Sequence, residues 1–231
     1  MAASVFVLFV GATGVALLAP GGLGEAQPQV VTKGASAELY RTAVASAAQA
    51  PGWLEVAGRH GAVAGLAGLA LMLACTGWTG WRRRGPAAAG TVLVGVAAVV
   101  AYVGSEAVKL VVDEQRPCRV WGPLSTWDAC PPVGDWSFPS NHATVAGAFA
   151  AGLVVLAPRW AGLTAPLAVL VAGGRVVTGV HYPHDVLAGL LWGASVTTAA
   201  LVAGAPAAHG LLTAVRHRLV RSAGEFRPGE R

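Results

Sequence analysis

Charge is what this sequence has least of. Asp, Glu, Lys and Arg together make up 12% of its 231 residues, against about 25% in soluble domains. That deficit argues against an ordinary soluble domain and for a membrane protein. Lysine is almost missing: of the sixteen basic residues only Lys33 and Lys109 are not arginine. The net charge of +5 is not spread as a nucleic-acid-binding face would need. Much of it sits in two short blocks, "WRRR" at 81–84 and "RHRLVR" at 216–221, which reads as membrane orientation rather than nucleic-acid binding. Cysteine is also sparse, with Cys75, Cys118 and Cys130 alone. No internal repeat is present, so residues 1–231 are read as one domain.

What is abundant is apolar and small. Hydrophobic residues make up 55% of the chain, and glycine occurs 31 times. Small residues let membrane helices approach closely. Charge-free apolar runs give six candidate spans, at roughly 2–20, 61–80, 87–108, 143–158, 162–180 and 186–205, near the ~17–25 residues that cross a bilayer. The expected class is therefore an all-α, polytopic membrane protein with six transmembrane helices. The first run lacks a basic start and a small-x-small cleavage site, so it is read as a helix rather than a secretion signal.

Arg82, Arg83 and Arg84 lie between spans two and three and are expected to be cytoplasmic. Alternation then puts 109–142 outside, Arg159 inside, 181–185 outside, and both the N-terminus and the basic tail 206–231 inside. Residues 21–60 become an outer loop, with an interfacial helix over 36–49 broken by "PGW" at 51–53. Cys118 and Cys130 fall in an outside loop, where disulfides persist. A bridge is expected there, the alternative being two free thiols. Cys75, inside span two, reads as a small packing residue.

Polar groups at membrane depth are costly, about 2.5–3.5 kcal/mol for a charge at a helix centre. Lys109, Arg116, His142, Arg175, His181 and Asp185 all fall at span ends, and by the orientation above at the same outer ends. Cations converging in this way repel unless an anion lies among them, and phosphate is the natural candidate. Lys109 and Arg116 are seven residues apart, two turns if the helix continues, with Pro117 ending it. A snorkelling lysine and a loop arginine would look the same in isolation. Ser140 is a good N-cap for span four, and the free amides after it, from Asn141 onward, form an anion site. An ordinary cap beside an interfacial histidine is the alternative. Arg175 and His181 lie along the outer half of span five, and Asp185 follows His181 by four. A carboxylate bonded to one ring nitrogen leaves the other as nucleophile or base. The cationic surroundings and Pro183 argue against a metal site. His184 receives no role and reads as interfacial.

Together these residues resemble the type 2 phosphatidic acid phosphatase (PAP2) superfamily. That family carries Lys, six residues, then Arg-Pro; then Pro-Ser-Gly-His; then Ser-Arg, five residues, His, three residues, Asp. The same order and spacing occur here as Lys109 with Arg116-Pro117, then "PSNH" at 139–142, then Gly174-Arg175 with His181 and Asp185. Asn141 stands in place of the family's Gly, and Gly174 in place of its Ser. The stretch "FPSNHAT" is most similar to bacterial members of undecaprenyl-diphosphatase type, which commonly have Asp at the Asn141 position.

The resemblance implies a six-helix bundle that acts on a lipid phosphate in the bilayer, without metal or cofactor. It implies catalytic roles for His181 as nucleophile, His142 as proton carrier and Asp185 as orienter of His181. Lys109, Arg116, Arg175, Ser140 and the Asn141 amide would bind phosphate. A polyprenyl diphosphate is the first substrate expectation. Phosphatidate, phosphatidylglycerophosphate and other prenyl phosphates are alternatives. A non-enzymatic lipid-phosphate binder or transporter would keep the cations but have no need of His142, His181 and Asp185 together. A vanadate-dependent oxidase with the same cradle is disfavoured by the apolar spans.

Overall fold

The computed structural model describes residues 1–21, 24, 27–122 and 126–225, with side chains at 205, 206, 209, 211–213 and 215–225 left undescribed. The basic block at 216–221 and the end of the tail lie outside this description, as do four residues of the expected outer loop. The described chain is helical: α1 (Ala2–Leu18), α2 (Ala35–Ala47), α3 (Gly52–Arg82), α4 (Ala87–Lys109), α5 (Pro117–Val120), α6 (Asn141–Leu156), α7 (Ala161–Val177) and α8 (Pro183–Glu225), with a 3₁₀ turn at Pro158–Trp160. Among the described residues the one extended feature is an isolated bridge between Gln29 and Glu114.

Four helical segments are long and apolar enough to cross a membrane: Gly52–Arg82, Ala87–Lys109, Pro158–Val177 and Pro183–Gly204. The expected first and fourth spans are shorter, 17 and 16 residues. At 1.5 Å per residue each reaches about 25 Å, less than the ~30 Å hydrocarbon core. Three other expectations need correction. The helix after "PG" at 51–52 begins at Gly52, so residues 52–60 are the first turns of α3 rather than loop. The last helix does not stop near 205 but runs to Glu225. Cys75 is exposed on α3 and is not a packing residue of the interior.

The core forms around α6. Leu69 and Leu73 of α3, Val94 of α4, Ala146, Ala150 and Leu153 of α6, Val171 of α7 and Leu201 of α8 make one buried cluster. Small residues permit the tightest approach, between α6 and α8. A β-carbon on Gly193 would strike the Thr144 carbonyl oxygen, and one on Gly147 the Leu190 carbonyl oxygen. At Gly189 it would sit 2.5 Å from the Ser140 carbonyl oxygen. The obstacle is backbone in each case, so a side chain there must push the helices apart. This contact sets the start of α6 against the start of α8, the two helix ends that carry His142 and Asp185.

The segments between the long helices are fastened to the same end. α2 buries Ala37, Tyr40, Val44 and Ala47 along one stripe, and the Tyr40 hydroxyl donates to the Gly179 carbonyl oxygen at 3.0 Å. Residues 29–31 are held by Gln29 N–H to Asp113 O at 2.9 Å, Gln115 N–H to Gln29 O at 2.9 Å and Tyr182 hydroxyl to Val31 O at 2.7 Å. Cys118 and Cys130 are disulfide-bonded, with Cα atoms 5.8 Å apart.

Replacing Gly193 by Val is expected to destabilise the protein by about 1–3 kcal/mol through overpacking. Gly95→Ala, where the added atom meets open space, is expected to leave stability equal or slightly higher. Thermal unfolding in detergent checks the pair; equal melting of both variants would contradict the close-approach argument.

Candidate functional site

The end of α7 is built by its sequence. Gly179 adopts φ 88°, a left-handed conformation that glycine reaches without strain. Gly179 N–H bonds to Val176 O at 3.0 Å and Val180 N–H to Arg175 O at 3.3 Å, the paired bonds of a Schellman cap. The cap folds the chain back over Arg175, and His181 N–H also reaches Arg175 O at 3.2 Å. His181 therefore sits in the α7–α8 connection and not along span five as expected.

Two residues on, Pro183 opens α8. Asp185, in its first turn, accepts the Tyr182 N–H at 2.7 Å through Oδ2. That is the reciprocal half of a capping box. The same Oδ2 accepts from the Ser137 hydroxyl at 2.6 Å and lies 3.3 Å from His181 Nδ1. Asp185 is fully buried and His181 nearly so.

Arg116 is not on a continuation of α4. That helix ends at Lys109, and Arg116 is the N-cap residue of α5, with Pro117 at its first position. Pro117 thus starts a helix instead of ending one, and the two cations do not share a helical face. A loop carboxylate brings them together: Asp135 Oδ1 is 2.8 Å from Arg116 Nη2 and 3.6 Å from Lys109 Nζ. Arg116 also donates through Nε to the Asp135 carbonyl oxygen at 2.9 Å and through Nη1 to the Val180 carbonyl oxygen at 3.1 Å. Its Nη1 lies 3.1 Å from His181 Nε2. This network fits a proton on Nδ1, facing Asp185, with the Nε2 lone pair receiving the guanidinium N–H. Arg175 Nη1 is held by Asp128 Oδ2 at 2.8 Å, while its buried Nε has no hydrogen-bond partner.

Lys109, Arg116, Asp135, Asn141, His142, Arg175 and His181 line one cavity of about 320 Å³, together with Leu66, Tyr102, Pro131 and Val145. The sequence therefore picked out residues that meet in space, the two imidazoles among them. Ser140 and Asp185 lie behind this lining. Ser140 occupies the N-cap position, but its hydroxyl makes no capping bond and is buried without a partner. Its backbone N–H binds the Asp185 carbonyl oxygen at 3.1 Å. The Asn141 amide donates to Glu106 Oε1 at 2.6 Å and accepts from the Ser105 hydroxyl at 2.8 Å. Glu106 Oε1 in turn holds Lys109 Nζ at 2.9 Å, so the departure at Asn141 anchors a site cation. At Gly174 an added side chain would meet open space, so the family's Ser would fit there.

Sequence reasoning missed the acids Glu106, Asp128 and Asp135, as well as Ser137. It also gave no role to His184, whose Nε2 is 3.0 Å from Glu114 Oε1 and whose Nδ1 is 2.6 Å from Ser36 Oγ.

Electrostatics follow from burial and neighbours. Burial pushes the His181 imidazole down to about 4; the Asp185 hydrogen bond opposes this and the Arg116 charge reinforces it. Burial raises the Asp135 carboxyl, but hydrogen bonding and charge from Arg116, with Lys109, more than offset it and leave it below its ordinary value.

The sequence pattern of the PAP2 superfamily matches residues 90–206. The chain belongs to the PAP2 superfamily. An undecaprenyl-diphosphatase of Sulfolobus acidocaldarius is 38% identical over 96 residues, 41% of this chain and 46% of that protein. A lipid A 1-phosphatase of Rhizobium johnstonii is 47% identical over 58 residues, 25% of this chain and 24% of that one. A decaprenylphosphoryl-5-phosphoribose phosphatase of Mycobacterium tuberculosis is 36% identical over 106 residues, 45% of this chain and 55% of that one. The chain thus spans between a quarter and about half of the length of these curated relatives. A crystal structure of a PAP2 type phosphatidylglycerolphosphate phosphatase from Bacillus subtilis has the same fold, with a TM-score of 0.52 and 20% identity over 87% of this chain and 94% of that one.

Two outcomes follow from this PAP2 site. The unfolded chain binds a proton on an ordinary histidine near pH 6.5, whereas folded His181 does so only near pH 4. Stability therefore falls as pH drops from about 6.5 towards 4, and His181→Gln is expected to flatten that slope in thermal melts. A ring titrating near 6.5 by NMR would contradict it. Asn141→Asp sets a carboxylate against Glu106 and is expected to cost about 1–3 kcal/mol, with recovery in the Glu106→Gln/Asn141→Asp double variant. Equal melting of the single and double variants would remove this coupling.

Proposed function

We propose that this protein is a multi-pass membrane lipid phosphatase that hydrolyses a polyprenyl diphosphate to the monophosphate and inorganic phosphate. The observation that carries the reading is the convergence of Lys109, Arg116, Arg175, His142 and His181 on one cavity. Cations alone would serve a binder; two imidazoles among them, one backed by a buried carboxylate, suit phosphoryl transfer.

Lys109, Arg116 and Arg175 hold the phosphoryl oxygens with the Asn141 backbone N–H at the helix start, and the Ser140 hydroxyl, buried behind the lining, joins the cradle only by turning toward the phosphate. Nε2 of His181 attacks the terminal phosphorus, the bond to the lipid-side oxygen breaks, and a phosphohistidine forms. Asp185 takes the Nδ1 proton's hydrogen bond and steadies the positive ring. His142 protonates the departing oxygen, then accepts a proton from the water that cleaves the P–N bond. For attack, Arg116 must move its N–H from the Nε2 lone pair to a phosphoryl oxygen.

An apolar groove of about 1020 Å³ between α2, α3 and α7 adjoins this cavity in sequence at several points: Gly65 beside Leu66, Trp127 beside Asp128 and Gly174 beside Arg175. The prenyl chain lies along it. The site faces the extracytoplasmic side, with both termini in the cytoplasm. In support, the Cys118–Cys130 disulfide and the arginines at 82–84 follow and precede α4 in the chain, a helix of 23 residues and so roughly 35 Å long.

The test is phosphate release by the purified protein in detergent from polyprenyl diphosphate, polyprenyl monophosphate and phosphatidate, side by side. The diphosphate is expected to turn over fastest, and an acid-labile phosphoenzyme to be trapped by rapid quench. His181→Ala is expected to lose activity by at least about a thousandfold, on the order of losses of other catalytic nucleophiles. Preference for the diacyl phosphate would reverse the substrate order, and undiminished turnover in His181→Ala would refute the nucleophile.

A further inference from the structure

Two titratable groups, one buried and one half-buried, are used by none of these steps. Glu114 is fully buried in the α4–α5 connection, and His184 follows Pro183 at the start of α8. The His184 ring is fixed on every side. It stacks on Tyr182 at 5.4 Å and 16°, and on Phe138 at 6.0 Å and 28°. Ser36 Oγ, from α2, lies 2.6 Å from Nδ1 and accepts the His184 backbone N–H at 3.3 Å. With the Ser36 hydroxyl donating to Nδ1, the ring proton sits on Nε2, the nitrogen that faces the carboxylates. That N–H faces two carboxylates: Glu114, with Oε1 at 3.0 Å and Oε2 at 3.2 Å, and Asp185 Oδ1 at 3.3 Å.

Asp185 shows why this matters. Its Oδ2 is occupied by Ser137, Tyr182 N–H and the His181 ring. Its Oδ1 is buried and has no hydrogen bond. Two groups face it: His184 Nε2 at 3.3 Å, which also lies against Glu114, and the Glu114 carboxyl itself. Two neighbouring buried carboxylates require a proton between them. Burial, and then the Asp185 charge, push the Glu114 carboxyl well above its ordinary range, so the proton rests on Glu114. These three residues bring ligand atoms within 4.8 Å of one another, yet their spacings are already those of hydrogen bonds and ion pairs, with a ring N–H between the acids.

We propose that His184 and Glu114 are positioning residues that fix the buried carboxylate of Asp185 through its second oxygen, with Ser36 of α2 setting the ring that does so. The proposal rests on the reading of Asp185 as the orienter of His181. Without the His184 N–H, the carboxylate loses one of its two polar neighbours on the Oδ1 side and Glu114 loses the ring that holds it there, so Asp185 turns away from His181 Nδ1.

The test measures kcat, KM and phosphoenzyme formation on polyprenyl diphosphate in detergent. His184→Ala is expected to lower kcat and the rate of phosphoenzyme formation about 10–100-fold, the scale on which supporting partners of other sites act, with KM held within about twofold. His184→Gln, which restores a donor, and Glu114→Gln, which mimics a protonated carboxyl, are each expected to recover at least tenfold over the corresponding Ala variant. A merely structural role would lower the folded yield or raise KM without this rescue. Should His184→Ala fail to fold, the Glu114→Gln against Glu114→Ala comparison decides alone. Wild-type kcat in His184→Ala, or Gln variants no better than Ala, would overturn the proposal. If His181→Ala itself stays active, the underlying phosphatase reading fails; if only the His184 and Glu114 variants stay active, that reading stands and this one falls.

Discussion

The carboxylate of Asp185 ties the site together. One oxygen ends the backbone of one helix, receives the hydroxyl of the Ser137 loop and faces the imidazole of His181. A charge this deeply buried is tolerable only when its lone pairs are met by donors. Satisfying it therefore dictates where the α7–α8 turn and the "WSFPSNH" segment must go. Capping α8 and orienting His181 are one act, because Asp185 occupies the third position of the helix and the ring lies one turn before it.

Small residues make that act possible. The backbone contacts at Gly147, Gly189 and Gly193 draw α6 and α8 close enough for the Ser140 N–H to bond the Asp185 carbonyl. His142 and Asp185 then start neighbouring helices at the same end. The cations are balanced by acids of the same chain: Lys109 by Glu106 and Asp135, Arg116 by Asp135, Arg175 by Asp128. Asp135 lies part-exposed between Lys109 and Arg116, where the proposed mechanism places a phosphoryl oxygen. On that proposal a phosphate exchanges one anion for another, and the converging positive charges stay compensated.

Much of this was legible before any coordinates. The spacing of Lys109, Arg116, His142, Arg175, His181 and Asp185 identified side chains that share a cavity or back it, because motif spacing is tied to helix ends. The helical class was legible from the apolar runs. The acid partners were not. Asp128 and Arg175 are 47 residues apart, and Glu114 and His184 are 70 apart; such pairs are set by tertiary packing, which leaves no local period to read. His184 looked idle because its partners, Ser36 of α2 and Glu114 within the Lys109–Arg116 stretch, are not positions that the motifs specify. The shared helical face assumed for Lys109 and Arg116 failed because α4 ends at the lysine, and a loop carboxylate does the joining instead. The first span was read two residues too long because apolar composition continues past the end of α1 at Leu18, whereas α6 has the expected 16 residues, shifted two positions towards the N-terminus.

The most direct measurement is a crystal structure of the protein with orthovanadate, a mimic of the pentavalent phosphoryl transition state. The account predicts vanadium bonded to Nε2 of His181, oxygens held by Lys109, Arg116 and Arg175, Asp135 displaced from Arg116, and Asp185 still hydrogen-bonded to Nδ1. Vanadate bound away from His181, or Arg116 still bonded to Nε2 with vanadate in the cavity, would contradict it.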